Sequence, residues 1–415
     1  MDKETLSNYG WIVICVLVLA VLLALATPFG TFVSDAVKTT TQGLFDTNLN
    51  ALDSVNIETD DLKFDSSNKS SPPEINTTIP EGGTYYVGVT SIKLGDYTGA
   101  TSIYNTGDTF PENFVPVNGD VFVYGDYEYR YNSYYALDYD YSWVLDNAQN
   151  GWGVHVLKTN QTTYSEIVNS IANKPVTNLY CTFFGCNKMT TTPILPPNIT
   201  HMFDTFGDCT SLTTISKIPI NVIDMSYTFN YCTSLTTAPT IPNKVTNMEG
   251  TFNNCTSLTT PPDMNKAINI TNMSSTFSEC TFLKTAPILP NSVINLSYAF
   301  YNCTSLETAP TIPHTVTDIG YTFQGCEAMT TPPPTIPNSI TSMVYTFHNC
   351  KSLTGTIEIN ANPSIMESGN CFYGVDFENQ NLNFIGTSLM LDKLGLTGTN
   401  YCTNCNGKCL NNHYK

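Results

Sequence analysis

Cysteines recur at near-constant intervals along the second half of the chain, and this periodicity constrains the fold more than any other feature. They stand at 186, 209, 232, 255, 280, 303, 326 and 350, with intervals of 23, 23, 23, 25, 23, 23 and 24 residues. Three residues before each stands a phenylalanine: Phe183, Phe206, Phe229, Phe252, Phe277, Phe300, Phe323 and Phe347. Three residues after each comes a large aliphatic: Met189, Leu212, Leu235, Leu258, Leu283, Leu306, Met329 and Leu353. A β-branched position follows (Ile199, Val222, Val245, Ile268, Val293, Val316, Ile340), then a further apolar one (Met202, Met225, Met248, Met273, Leu296, Ile319, Met343). A unit of this length offers five or six inward residues and cannot bury a core alone. Successive units must stack as coils, each apolar position becoming a ladder. Segments such as Ile241-Pro242-Asn243 and Leu289-Pro290-Asn291 mark the turns, with Pro fixing φ and Asn bonding its own backbone. At about 4.8 Å per coil, eight coils make a rod on the order of 40 Å long.

This pattern is very similar to the BspA-like, treponemal-type leucine-rich repeat. Its unit carries an apolar position, an Ile-Pro turn, a second apolar pair, a Phe and then a Cys. The resemblance covers residues 177–375 and implies a mainly β protein: a leucine-rich-repeat solenoid of about eight 23-residue coils. It also implies a surface protein of bacteria or of some eukaryotic parasites, engaged in adhesion to host or matrix components and to other cells. This chain departs from the family in its richness in Thr-Pro. The structural ladder expected is Phe206, Cys209, Phe229, Cys232, Phe252, Cys255, Phe277, Cys280, Phe300, Cys303, Phe323, Cys326, Phe347 and Cys350. Ladder side chains point side by side into the core instead of toward one another, so these cysteines are expected to be reduced core residues and not a disulfide framework.

Charge excludes one class of partner. Seventeen Lys+Arg stand against 35 Asp+Glu, a net charge of −18, and Arg130 is the only arginine. Nucleic-acid binders neutralise phosphates with clustered Lys and Arg, so no nucleic-acid partner is expected. Thr, Ser, Asn and Tyr carry the polarity, which suits a hydrogen-bonding outer surface.

Residues 1–52 are expected to form a hydrophobic membrane or assembly helix with an amphipathic extension. Residues 11–33 carry no charge, and 23 helical residues span a bilayer core of about 30 Å. A cleaved signal peptide is the competing reading, from the small-x-small Ala24-Leu25-Ala26. The segment also weakly resembles the N-terminal helix of type IV and Tad-type pilins. That resemblance implies Glu4 as the residue meeting a neighbouring subunit in a filament core, and a homo-oligomeric filament as an alternative role.

Residues 53–83 read as a flexible acidic linker, and 84–176 as a Tyr-rich β domain. Within it Val121–Tyr124 and Tyr127–Tyr131, broken by Gly125-Asp126, form an expected hairpin. Residues 164–172 are expected to add one short helix. Tyr127, Tyr129, Tyr131, Tyr139 and Tyr141 offer a candidate binding surface, because aromatics on a strand stack on sugars or enter a partner's interface. The competing reading is ordinary inward packing. Asp138 and Asp140 lack calcium-loop spacing.

Residues 376–415 are expected to cap the solenoid. Cys371 breaks the pattern, coming 21 residues after Cys350 and lacking its Phe. Cys402, Cys405, Cys409 and His413 give C-x2-C-x3-C-x3-H, a candidate zinc site; a disulfide-tied or simply packed tail is the alternative. No other cofactor is implied. No phosphate loop, nucleophile elbow or HExxH is present, and His348 beside Cys350 lies inside the repeat, so catalysis is not expected. The expected role is a membrane-anchored surface protein that binds a protein or glycan of a host or neighbouring cell.

Overall fold

The computed structural model describes residues 72–135, 143–145, 150–364, 366–375, 377 and 382–396, all within one compact unit, Ser70–Lys415. The expected helix over 11–33, Glu4, Asp138, Tyr139, Asp140, Tyr141, Cys402, Cys405, Cys409 and His413 lie outside the described residues.

Short strands rich in Tyr, Val and Ile open the unit: β1 (Glu74–Ile75), β2 (Thr84–Val87), β3 (Ser102–Asn105), β4 (Val121–Tyr124), β5 (Tyr127–Tyr131), β6 (Ser133–Tyr135), β7 (Trp143–Leu145), β8 (Trp152–Val156), β9 (Ser170–Ile171) and β10 (Lys174–Asn178). Eight of them form one sheet in the order β1-β9-β10-β8-β5-β4-β2-β3, and β6 pairs with β7. The β4–β5 hairpin forms as expected, with Tyr124 opposite Tyr127 and Gly125 at φ 60°.

Two expectations are corrected here. Residues 72–83 belong to the fold and not to a tether: β1 pairs with β9, and Ile75 and Ile79 are buried. The helix expected over 164–172 is absent. Ile167, Val168 and Ile171 are buried, a spacing that a helix face shares, but distant partners take the backbone. The Val168 amide donates to Tyr129 Oη and the Asn169 amide to Pro73 O. Ala172 and Asn173 both adopt positive φ, the backbone of a two-residue hairpin turn.

From Asn178 the sheet passes directly into the solenoid. Single-residue parallel bridges run Asn178–His201–Asp224–Asn247–Asn272–Asn295–Asp318–Ser342–Glu367, one rung per coil. On most rungs an Asn or Asp side chain caps its own turn; Asn247 Oδ1, for example, accepts the Glu249 amide at 3.1 Å. A second column bridges threonines, among them Thr191–Thr214, Thr237–Thr260 and Thr285–Thr308–Thr331. The C-terminal coils widen into a parallel sheet of β11 (Thr335–Ile336), β12 (Gly355–Ile359) and β13 (Leu382–Gly386). Helix α1 (Ser388–Lys393) closes the end, capped by Thr387 and burying Met390 and Leu391.

The Phe column stacks ring on ring from Phe183 to Phe372, with centroids 5.2–5.8 Å apart and planes within 16°. These are offset stacks, the arrangement that ring quadrupoles favour. Phe372 corrects the expectation that the ladder ends at Phe347: a ninth coil continues it, with Cys371 in the preceding column and Val375 where a cysteine would stand. One hydrophobic cluster links this ladder to the N-terminal sheet, where Tyr127 packs edge-on against Phe183 at 6.0 Å. The sheet thus covers the first coil, which would otherwise expose its apolar interior.

Candidate functional site

The inner columns are structural. Cys209, Cys232, Cys255, Cys280, Cys303, Cys326 and Cys350 are buried and free, and each thiol donates to the carbonyl of the Phe in the preceding coil at 3.0–3.2 Å. Burial pushes these thiols well above their usual range and Cys186 to about 11. They are therefore protonated at neutral pH, and a protonated thiol is neither nucleophile nor metal ligand. Cys350 faces inward, whereas His348 stacks on Tyr373 at 5.1 Å.

A buried polar column escaped sequence reasoning. Thr182, Thr205, Thr228, Thr251, Thr276, Thr322 and Thr346 immediately precede the ladder phenylalanines and are fully buried. Thr182 donates to Val154 O of β8, and each of the others to a carbonyl of the preceding coil, as Thr251 does to Met225 O at 2.9 Å. Ala299 fills this position in one coil. Threonine is so common in the chain that a column of it carries little signal; its recurrence immediately before the ladder Phe was the available clue.

The candidate tyrosines are corrected. Tyr127 and Tyr129 are fully buried and Tyr131 is 3% exposed, so they build the core and offer no binding surface. The whole of β5 is buried, including Glu128 and Arg130. Aromatics nearer the surface stand elsewhere, Tyr298 exposed and Tyr321 and Tyr345 half-buried. Tyr298, Tyr321 and Tyr345 occupy one column of successive coils, with ring centroids 4.4 and 4.9 Å apart. Tyr227 holds the same position in an earlier coil and lies across Gly250, where a Cβ would come within 2.5 Å of its ring.

Two positions in each coil adopt positive φ, the residue before the Thr column and the residue before Cys, as at Tyr227 and Tyr231. These left-handed residues turn the chain sharply between inward Phe and inward Cys, and direct the neighbouring polar side chains to the outside. The outer face is thus a lattice of coil-repeated positions filled by Thr, Asn, Tyr and carboxylates. Among the described residues, no group of three or more His, Cys, Asp or Glu side chains converges to hold a metal ion, and no helix is long and apolar enough to cross a membrane.

The BspA type leucine rich repeat region matches this chain in six copies, over residues 171–284, 203–330 and 321–389, together just over half of its length. Several solved structures are similar to it in fold. A leucine-rich-repeat protein of T. pallidum is 20% identical, over 51% of this chain and 84% of that one, at a TM-score of 0.33. One from Bacteroides ovatus is 21% identical, over 56% and 67%, at 0.34. A leucine-rich cell surface protein of Faecalibacterium prausnitzii is 17% identical, over 66% and 97%, at 0.29. No curated protein matches the chain. By its interior ladders and its matching repeats, the chain belongs to the BspA-type leucine-rich-repeat family.

Proposed function

We propose that this protein is a membrane-anchored, cell-surface binding protein that presents its solenoid to a protein or glycan of a host or neighbouring cell. One observation carries the reading: the inner columns consume every buried thiol and aromatic of the repeat, while the outer positions form an extended, hydrogen-bonding surface repeated coil after coil. Such a surface suits recognition of a large partner better than enclosure of a small substrate. The uncharged segment 11–33 supplies the anchor, and the membership of BspA-type proteins at cell surfaces supports the location.

The test uses intact native cells and the purified protein. Brief protease treatment of the cells is expected to remove solenoid epitopes without lysis, and the protein is expected to bind target cells or matrix saturably. Protease-protected epitopes together with an absence of saturable binding would overturn the reading. The pilin-like character of residues 1–52 supports a second one, a filament subunit assembled through that helix with Glu4 at the contact. Electron microscopy separates the two, because filaments lost on truncating residues 1–33 belong only to the second.

A further inference from the structure

Eight Asn-x-Ser/Thr triplets lie among the described residues, headed by Asn76, Asn160, Asn198, Asn254, Asn269, Asn272, Asn295 and Asn302. This triplet is the acceptor of asparagine-linked glycosylation, which places a bulky, hydrated oligosaccharide on the side-chain amide. In a chain so rich in Asn, Thr and Ser the triplet arises from composition alone. The fold decides which copies can carry such a group.

In five of the eight the asparagine is half-buried and its side chain is engaged by the fold. Asn76 Oδ1 accepts the Asn173 amide at 2.8 Å, tying β1 to the β9–β10 turn. Asn272 and Asn295 cap their own turns, accepting the Ser274 and Ser297 amides at 3.0 and 2.9 Å. Asn302 Nδ2 donates to Glu279 of the preceding coil at 2.8 Å. Asn254 Nδ2 donates to Asn253, and its backbone is left-handed at φ 58°. A glycan at these positions would crowd the neighbouring coil or break the bond that shapes the turn.

Asn160, Asn198 and Asn269 differ, because all three are exposed. The side chains of Asn160 and Asn198 make no hydrogen bond among the described residues. Asn269 Nδ2 donates to Asn243 O at 2.7 Å, which uses one of its two hydrogens and leaves the other for substitution. Asn198 and Asn269 immediately precede Ile199 and Ile270, both fully buried. They therefore stand in one column, three coils or about 14 Å apart.

We propose that this chain carries asparagine-linked glycans at Asn160, Asn198 and Asn269. A bond forms between the anomeric carbon of the sugar and the asparagine Nδ2. The bond from that carbon to the oxygen of a glycosyl diphosphate donor breaks, and the diphosphate leaves with the amide proton. Each modified amide keeps one N–H, so Asn269 retains its bond to Asn243. Carbohydrate on Asn198 and Asn269 shields this turn edge of the solenoid and leaves the other outer columns to a partner. The assignment rests on the cell-surface reading above, since export brings the chain to a membrane-bound glycosyl transferase.

Protein purified from its own cells tests it, through peptide mass spectrometry before and after peptide N-glycosidase treatment in heavy-oxygen water. The enzyme converts each released asparagine to a labelled aspartate. Label is expected at 160, 198 and 269 and at none of the five half-buried sites. Asn198→Gln and Asn269→Gln, expressed in the same cells, are each expected to remove one glycan mass from the intact protein. Unmodified asparagine at any of the three sites overturns the proposal there, and at all three it overturns the proposal altogether. So does label at the five half-buried sites at equal occupancy, because the fold would then not be the selector. An unmodified protein whose solenoid epitopes are protease-accessible on intact cells sinks this assignment alone. Glycans at the three sites on a protein that binds no cell or matrix sink the binding reading alone.

Discussion

Arg130→Met tests how the fold uses its single guanidinium. Arg130 is 5% exposed and Glu128 fully buried; Nε donates to Glu128 Oε1 at 2.7 Å. Its other nitrogens donate to the carbonyls of Ser91 and Lys93, the latter at 2.8 Å. Glu128 Oε2 meanwhile accepts the Gly95 amide at 2.9 Å and Tyr97 Oη at 3.1 Å. The pair therefore grips the 91–97 loop from both signs of charge. Removing the arginine leaves a carboxylate in the interior with neutral donors only, and removing one partner of a buried pair costs about 3–5 kcal/mol. The Arg130→Met/Glu128→Gln double variant removes both charges and is expected to recover about 2 kcal/mol relative to the summed single losses. Urea unfolding followed by fluorescence reads this out, since Trp152 is buried in the same sheet with Nε1 bonded to Ile171 O. Limited proteolysis should find new cleavage within residues 91–97 in the single variant. A loss below about 1 kcal/mol for Arg130→Met, or additive single losses, would refute the reasoning.

One buried and one half-buried group give opposing pH dependences. Burial lowers His155 to about 3; the unfolded chain protonates it below about 6.5, so its contribution is lost as pH falls through that range. Burial, reinforced by Asp208, raises Asp204 to about 7, so its contribution grows as pH falls below 7 and is lost as pH rises. Asp204→Asn should unmask the histidine, costing about 2 kcal/mol more at pH 5 than at pH 7, measured by urea midpoints; an unchanged pH profile would contradict it. Thr251→Ala removes the hydroxyl shared between Met225 O and Met248 O and should cost about 1–2 kcal/mol. Ala299→Thr, supplying the missing member of that column, should raise Tm instead, as scanning calorimetry can check. Iodoacetamide applied to the native protein should spare the ten buried cysteines from Cys181 to Cys371, and peptide mass spectrometry would expose any that react.

The solenoid was legible because its inward residues are chemically distinct and mostly in phase: Phe, Cys and large aliphatics recur where almost everything else is Thr, Ser, Asn or Pro. The 25-residue coil breaks the phase, and there Ile270 is buried in the β-branched column while the expected Ile268 is exposed. The last coil was missed because its register changes, with Phe372 taking the ladder place while Cys371 enters the Thr column. The N-terminal sheet misled for a different reason. Tyr127, Tyr129 and Tyr131 alternate with Glu128 and Arg130, a period of two that signals one dry and one wet strand face. Both faces of β5 are covered, and the charges neutralise one another inside. Burial of a charged face is decided by tertiary partners, here the 91–97 loop, which no local pattern encodes. The helix expected over 164–172 failed similarly, since pairing of β9 with β1 depends on residues almost 100 positions away. The Tyr298–Tyr321–Tyr345 row was present in the sequence, but it became visible only when the coils were laid on one another.

The division of labour within each coil has a consequence for how such a surface changes. Stability is a sum over coils and their interfaces, and the interface is written in the Phe, Cys, Thr and aliphatic columns, each bonded or stacked to the coil before and after. An outer position touches few of these columns. Replacing Asp224 by the Asn found one coil later preserves the turn cap, because the side-chain oxygen that accepts the Ser226 amide remains. Such exchanges alter the charge offered to a partner at almost no cost in folding. An inner exchange such as Phe252→Ala breaks two ring stacks at once and should weaken both neighbouring interfaces by about 3–5 kcal/mol in total. The outer face can therefore be rewritten coil by coil while the ladders stay fixed.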